Sequence, residues 1–264
     1  MSKTIVVTGV SSGIGNDLAN QLIAANHTVI GISRRQAKDL NYDHFSCDLS
    51  NAQAIEETAH KINQKYPTID AVIHVAGMGI ADALEHTNYA DAEWIYKVNV
   101  LAPFYLNRFL IPNLRQNRNT KIIHVGSLAG TLTIPFQAFY SMSKAALFSY
   151  SEALRMELKP FAIHVSIILP GDIKTPFTDH RKNTYQKDDP IYQGRIDRAI
   201  QKMAHDEQQG MPASAVTKVI LKQLNKRKTP IFETVGLKYK LILILAKFLP
   251  HAIREKIIYH FYAK

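Results

Sequence analysis

Short apolar runs rich in Ile and Val alternate with helix-length segments along most of the chain. The pattern predicts strands at residues 4–8, 28–32, 44–46, 69–75, 121–126 and 164–169, with a last strand at 229–232. Several of these runs, such as Ile122-Ile123-His124-Val125, are apolar at consecutive positions, as in strands covered on both faces of a parallel sheet. Between them lie predicted helices at 13–26, 51–65, 90–117 and 137–160. Such alternation predicts βαβ units with right-handed crossovers, hence an α/β fold with a doubly wound parallel sheet. No repeat, low-complexity tract or linker breaks the chain, so one domain is expected over residues 1–235. Residues 177–211 are polar, contain Asp188, Asp189 and Pro190, and interrupt the rhythm like an insertion near a site. Residues 236–264 form a C-terminal helical extension.

Composition narrows the classes. The chain has 264 residues, 46% hydrophobic and 20% charged, which suits a globular protein. One cysteine, Cys47, excludes an internal disulfide and a multi-cysteine zinc site. The N-terminus runs directly into a strand without a signal-peptide pattern, so a cytoplasmic location is expected. The net charge of +10 would suit nucleic acid, but its distribution does not. Residues 1–210 hold 21 Lys and Arg against 20 Asp and Glu, whereas residues 211–264 hold 11 against 2. Nucleic acid is therefore not an expected partner.

Thr8-Gly9-Val10-Ser11-Ser12-Gly13-Ile14-Gly15 joins the first strand to the first helix. Gly9 allows a sharp turn, Gly13 a close backbone approach to a pyrophosphate, and Gly15 close helix–strand packing; the helix N-terminus favours phosphate. The second strand ends in Gly31-Ile32-Ser33-Arg34-Arg35, without the acidic residue that holds a ribose 2′-hydroxyl. Arg34 and Arg35 offer guanidinium donors to a 2′-phosphate, which points to NADP; otherwise they are two solvated arginines. Asp48 and Leu49 follow the third strand at the adenine end. Asp48 can accept from the adenine amino group, or it can cap the next helix, although Ser50 is better placed for that.

Tyr140-Ser141-Met142-Ser143-Lys144 opens a helical segment and sets Tyr140 and Lys144 on one face. A cation at about 4 Å and an effective dielectric of about 20 offers a phenolate roughly 4 kcal/mol. That would bring Tyr140 from about 10 towards 7, useful for a general acid. By itself the spacing also fits an exposed helix pair. Ser127 follows the strand ending at Gly126, and Asn99 stands between Val98 and Val100, where a polar residue needs a reason.

With Pro170-Gly171-Asp172-Ile173-Lys174-Thr175, these residues resemble the short-chain dehydrogenase/reductase family in order and spacing, over residues 3–235. The resemblance implies a Rossmann fold and an NADP(H)-dependent oxidoreductase acting on an alcohol/carbonyl pair. It implies that Tyr140 is the general acid/base and that Lys144 lowers its pKa and binds the nicotinamide ribose. Ser127 would bond the substrate oxygen, Asn99 would hold a water for proton relay, and Ile173 and Thr175 in the Pro170-Gly171 motif would hold the carboxamide. One motif departs: where the family has Asn-Asn-Ala-Gly, this chain has His74-Val75-Ala76-Gly77. Ala76 and Gly77 keep the close approach to the cofactor, and His74 reads as a structural partner. A homodimer or homotetramer through the long helices is implied. The alternative is a non-catalytic NADP-binding sensor on the same fold.

The 177–211 segment falls where the family places a substrate lid. Its Phe177, Tyr185, Ile191, Tyr192, Met203 and Met211 could close over an apolar substrate or pack the lid to the body. In the extension, Leu241 to Ala246 is apolar but far short of the about 20 residues that span a bilayer. Ile253, Ile257 and Phe261 recur at helical spacing among Lys238, Lys240, Lys247, Arg254 and Lys256. Such a basic amphipathic helix lies on a membrane surface or packs on the body or a second subunit. A lipophilic ketone or aldehyde is the expected substrate.

Overall fold

Strands that are apolar at every position need cover on both faces, and the chain supplies it. The computed structural model describes residues 2–36, 42–183 and 189–264. Seven parallel strands run in the order β3-β2-β1-β4-β5-β6-β9. They are β1 Thr4–Thr8, β2 Thr28–Ser33, β3 Asp43–Ser46, β4 Ala71–His74, β5 Lys121–Val125, β6 His164–Leu169 and β9 Phe232–Thr234. A separate two-stranded ribbon pairs β7 Ile173–Lys174 with β8 Met211–Pro212. Period-two alternation sorts each strand between two cores. Ile5, Val7, Ile73 and Ile123 face α1 Gly13–Ala24 and α7 Ala213–Asn225, meeting Leu18, Leu22, Val216 and Ile220. Val6, Val72 and Ile122 face the opposite way, onto Ile55, Leu106 and Leu154 of α2 Ala52–Lys65, α4 Ala102–Leu114 and α5 Ala138–Leu158. The sheet is the doubly wound one expected from the alternation. Its order reverses between β1 and β4, so their carboxyl ends open a crevice there.

Two local expectations are corrected, and the helical extension is refined. The segment read as one helix over 90–117 is α3 Tyr89–Tyr96, a π-helical turn Lys97–Leu101 that carries Asn99, and α4. Pro103 cannot donate to the carbonyl of Asn99, four residues earlier, so a regular helix is broken where Asn99 must turn inward. Asn51, not Ser50, caps α2: its Oδ1 accepts from the Ala54 N–H at 3.1 Å, while Ser50 bonds Asp48. The C-terminal extension is a hairpin of two helices, α8 Leu237–Phe248 and α9 His251–Tyr262. It begins after Gly236, whose φ of +86° few other residues adopt.

The 177–211 insertion contributes α6 Arg195–Gln208. Most of its apolar side chains fasten it to the body. Met203 is buried with Ala81 and Ala199, Tyr192 meets His86 and Phe136 edge to face, and Met211 packs on the main core. Ile191 is exposed. Tyr185 and Asp188 lie outside the described residues.

A buried polar chain ties the strands to the helices behind them. Ser151 Oγ donates to the Leu147 carbonyl at 2.7 Å, so it accepts from His124 Nδ1 at 2.9 Å. His124 Nε2 then accepts from Asn107 Nδ2 at 3.3 Å, and Asn107 Oδ1 accepts from His74 Nε2 at 2.9 Å. Burial holds both imidazoles neutral, pulling His74 down to about 4 and His124 well below its usual value. His74 is thus a structural partner linking β4, α4, β5 and α5. Asn107→Leu leaves two buried ring nitrogens without partners, each costing about 1–3 kcal/mol. The unfolding free energy from urea titration should fall by about 2–6 kcal/mol. A change below about 0.5 kcal/mol would mean that the chain is not what holds these elements together.

Candidate active site

The crevice is built from the turns after β1 and β4. Thr8 Oγ1 accepts from the N–H groups of both Val75 and Ala76 at 3.1 Å, pinning one turn to the other. Contact is close enough that a Cβ on Gly9 would lie 2.9 Å from the Ala76 backbone, and one on Gly15 would lie 2.2 Å from the Gly9 carbonyl oxygen. Ser12 precedes α1 without capping it through its side chain, which leaves the first N–H groups of the helix facing the crevice. The resulting cleft of about 210 Å³ is lined by Gly9, Ser11, Ser12, Gly13, Ile14, Gly15, Ser33, Arg34, Arg35, Asp48, Leu49, Ala76, Gly77 and Thr175. Arg34 and Arg35 are exposed, and among the described residues neither forms an ion pair. A glycine cradle and a helix N-terminus fit the pyrophosphate of a dinucleotide, with two exposed guanidinium groups at the edge of the cleft.

A second cavity of about 660 Å³ holds Ser127, Tyr140, Lys144, Pro170, Gly171 and Ile173. It shares Ile14, Val75, Gly77, Thr175 and Phe177 with the cleft, so the two adjoin. Ser127 leaves β5 in extended backbone and accepts from the Ala129 N–H at 3.1 Å. Lys144 is buried and donates from Nζ to the Val125 carbonyl at 3.0 Å, with Nζ 5.9 Å from the centre of the Tyr140 ring. Phe177 of the insertion lies against that ring, with centroids 5.7 Å apart. Asn99 stands behind. Its Oδ1 accepts from the Met78 N–H at 2.8 Å, and its Nδ2 donates to the Met78 carbonyl at 2.9 Å and Ser143 Oγ at 3.0 Å. Both amide hydrogens of the residue expected to hold a water are therefore committed to protein.

The electrostatics differ from the sequence expectation. Tyr140 is not drawn towards 7. Burial pushes it up to about 12, with the Ser127 hydrogen bond and Arg181 pulling down and Glu207 pushing up. Burial also pulls Lys144 down to about 8. The ammonium engages the Val125 carbonyl, and desolvation penalises the charged form of each group. At neutral pH the site thus presents a protonated phenol beside a charged lysine. It can give a proton to an oxygen placed between Tyr140 and Ser127.

The walls of this cavity were not foreseen. Tyr239, Ile242, Ile257, Ile258, Phe261 and Tyr262 of the extension line it together with Leu132 and Ile134. The spacing of Ile253, Ile257 and Phe261 was visible as an amphipathic stripe, but not what the stripe would meet. Gly171 lines this cavity with Pro170 and Ile173, and a Cβ on it would lie 2.3 Å from the Tyr239 ring. The Tyr239 hydroxyl donates to Asp172 Oδ2 at 2.6 Å, holding α8 over the site.

The comparisons agree with this geometry. A family model described as short chain dehydrogenase matches residues 3–186. The 3-ketodihydrosphingosine reductase of Bacteroides thetaiotaomicron is 31% identical over 99% of this chain and 98% of its own. The NADPH-dependent 1-acyldihydroxyacetone phosphate reductase of Saccharomyces cerevisiae is 28% identical over 96% of this chain and 89% of its own. The crystal structure of a short-chain dehydrogenase from Streptomyces avermitilis superimposes with a TM-score of 0.78 at 27% identity, covering 97% of this chain and 98% of that one.

The contact between Gly171 and Tyr239 can be tested directly. Gly171→Ala should displace the ring and break its bond to the Asp172 carboxylate, a loss of at least about 1.5 kcal/mol. Native-state trypsin cleavage at Lys238 and Lys240 should then quicken by at least about tenfold. An unchanged cleavage rate would mean that Tyr239 does not hold the extension down.

Proposed function

The chain belongs to the short-chain dehydrogenase/reductase family, oxidoreductases that act on carbonyl and alcohol groups with a nicotinamide cofactor, and on that premise we propose that it reduces a lipophilic ketone with NADPH. The observation that carries this reading is the meeting of Ser127, Tyr140 and Lys144 in a largely apolar cavity that adjoins the dinucleotide cleft. Bound in that cleft, NADPH supplies the hydride for the carbonyl carbon. Ser127 orients the carbonyl oxygen, Tyr140 donates its proton to it, and the Lys144 charge stabilises the phenolate that remains. A phenol held at about 12 starts in the protonated form that reduction requires. The Arg34–Arg35 pair supports NADPH over NADH. Two relatives named as reductases of lipid ketones support the substrate class. Members of the family commonly assemble, and exposed Leu101, Phe104 and Met142 near and along α4 and α5 support a homodimer or homotetramer through those helices. Among the described residues no helix is long and apolar enough to cross a membrane.

Tyr140→Phe removes the proton donor and keeps the ring. Turnover of a long-chain ketone, followed by NADPH absorbance, should fall by at least about 100-fold while NADPH still binds. In the unaltered enzyme kcat/KM should be level at neutral pH and decline as pH rises through about 8, because Lys144 then loses its charge while Tyr140 keeps its proton. Near-normal turnover in the Phe variant would remove Tyr140 from the mechanism, and a profile level to pH about 10 would remove the Lys144 charge.

Arg34→Asp separates the two cofactors. Loss of a charge-assisted hydrogen bond contributes about 1.5–3 kcal/mol, so NADPH affinity should fall roughly 10- to 100-fold with little change for NADH. Fluorescence titration of both cofactors measures this. Equal losses would assign Arg34 to the fold, and Arg35 would be examined next as reader of the phosphate.

A further inference from the structure

The hairpin of α8 and α9 has two faces with different partners. Its inner face is anchored: Tyr239 bonds Asp172, Leu243 packs beside Leu147 and Leu169, and Tyr262 joins the core of Ala81 and Met203. Three side chains that line the catalytic cavity, Ile242, Ile257 and Phe261, are also 36%, 43% and 58% exposed. They are at once its wall and its rim. Beyond them α8 exposes Leu241, Ile244, Leu245 and, at its last position, Phe248 at 81%, and α9 exposes Ile253 and Tyr259. So much apolar surface on adjoining helices marks an interaction face.

The charges of the hairpin identify the partner. Lys238, Lys240, Lys247, Arg254, Lys256 and Lys264 stand against a single acidic residue, Glu255, between residues 236 and 264. Two such faces on neighbouring copies would repel. Anionic phospholipid offers the complementary charge and accepts the apolar side chains, and helices of 12 residues can lie in its interface without crossing it.

We propose that this hairpin is a bilayer-facing portal: it docks on an anionic lipid surface, and the acyl chain of the substrate passes between Ile242 and the Ile257–Phe261 edge into the catalytic cavity. This rests on the lipid-ketone reductase reading and adds a route to it. The ketone reaches Tyr140 while the tail of the chain remains in or near the bilayer. The lipid pays no transfer into water, and the cavity needs to enclose only the segment around the reacting carbon.

The test uses the full-length protein and vesicles of phosphatidylcholine with or without phosphatidylglycerol. The unaltered protein should float with the phosphatidylglycerol vesicles, less with phosphatidylcholine alone, and detach at high salt. A phosphatidylglycerol bearing a diazirine at the end of its acyl chain should label the peptides that carry Ile242 and Phe261. Leu245→Glu with Phe248→Glu alters outer positions that do not line the cavity. This double variant should lose flotation and labelling, and its turnover of a vesicle-borne long-chain ketone should fall at least tenfold. Its turnover of a short water-soluble ketone should stay unchanged. Absence of flotation by the unaltered protein overturns the docking. Flotation without labelling of the two peptides, or vesicle-borne turnover that survives the loss of flotation, overturns the portal. A double variant that changes oligomeric state while the unaltered protein ignores vesicles would assign the face to a second copy. If the unaltered protein reduces neither ketone, the reductase reading fails by itself, and flotation and labelling still decide the portal.

Discussion

A lysine ammonium held out of water sets the terms for its surroundings. Moving a cation from water into protein costs several kcal/mol unless dipoles replace its hydration. For Lys144 the fold provides the carbonyl of Val125, the last residue of β5, at 3.0 Å. It also clears the space above. A Cβ on Gly77 would lie 3.3 Å from Nζ and 3.5 Å from Asn99 Oδ1, so a glycine there lets backbone, lysine and asparagine converge. The ends of β4 and β5, the π-helical turn and the first turns of α5 are thereby drawn to one point at the carboxyl edge of the sheet.

Tyr140 feels the same desolvation with the opposite sign. Burial lowers the lysine to about 8 and raises the phenol to about 12, so the lysine gives up its proton first. The free site holds a phenol and an ammonium, not a phenolate–ammonium pair. That ordering favours proton donation to a substrate oxygen, the direction that carbonyl reduction needs. Glu207 and Arg181, paired to each other in the insertion, act on Tyr140 in opposite senses, Glu207 raising its pKa and Arg181 lowering it.

The floor and the roof of the site differ in construction. Beneath it, His74, Asn107, His124 and Ser151 form a buried chain of hydrogen bonds with fixed donor and acceptor roles. Such a chain resists deformation because breaking any link strands a polar group without water. The roof is made of Phe177, α8 and α9, held by a few side chains and otherwise open to solvent. Elements with sparse burial open at lower cost than the core. Ser127, Tyr140 and Lys144 are therefore set on a rigid base, and the covering of their cavity can yield.

Local chemistry was legible in the sequence. The βα alternation, the strands buried on both faces, the glycine turn and the four-residue spacing of Tyr140 and Lys144 depend on neighbours within a turn or a strand, and the structure places them accordingly. The interruption at Asn99 was also written there, in Pro103, whose missing N–H leaves the Asn99 carbonyl without its helical partner. Tertiary structure alone decided three other matters. It set Gly171 against Tyr239, laid the amphipathic stripe of the extension over the catalytic cavity, and turned the expected fall in the Tyr140 pKa into a rise. Each depends on which distant segment packs against a residue. Periodicity tells a side chain which face it is on, whereas desolvation and contact are properties of whatever covers that face.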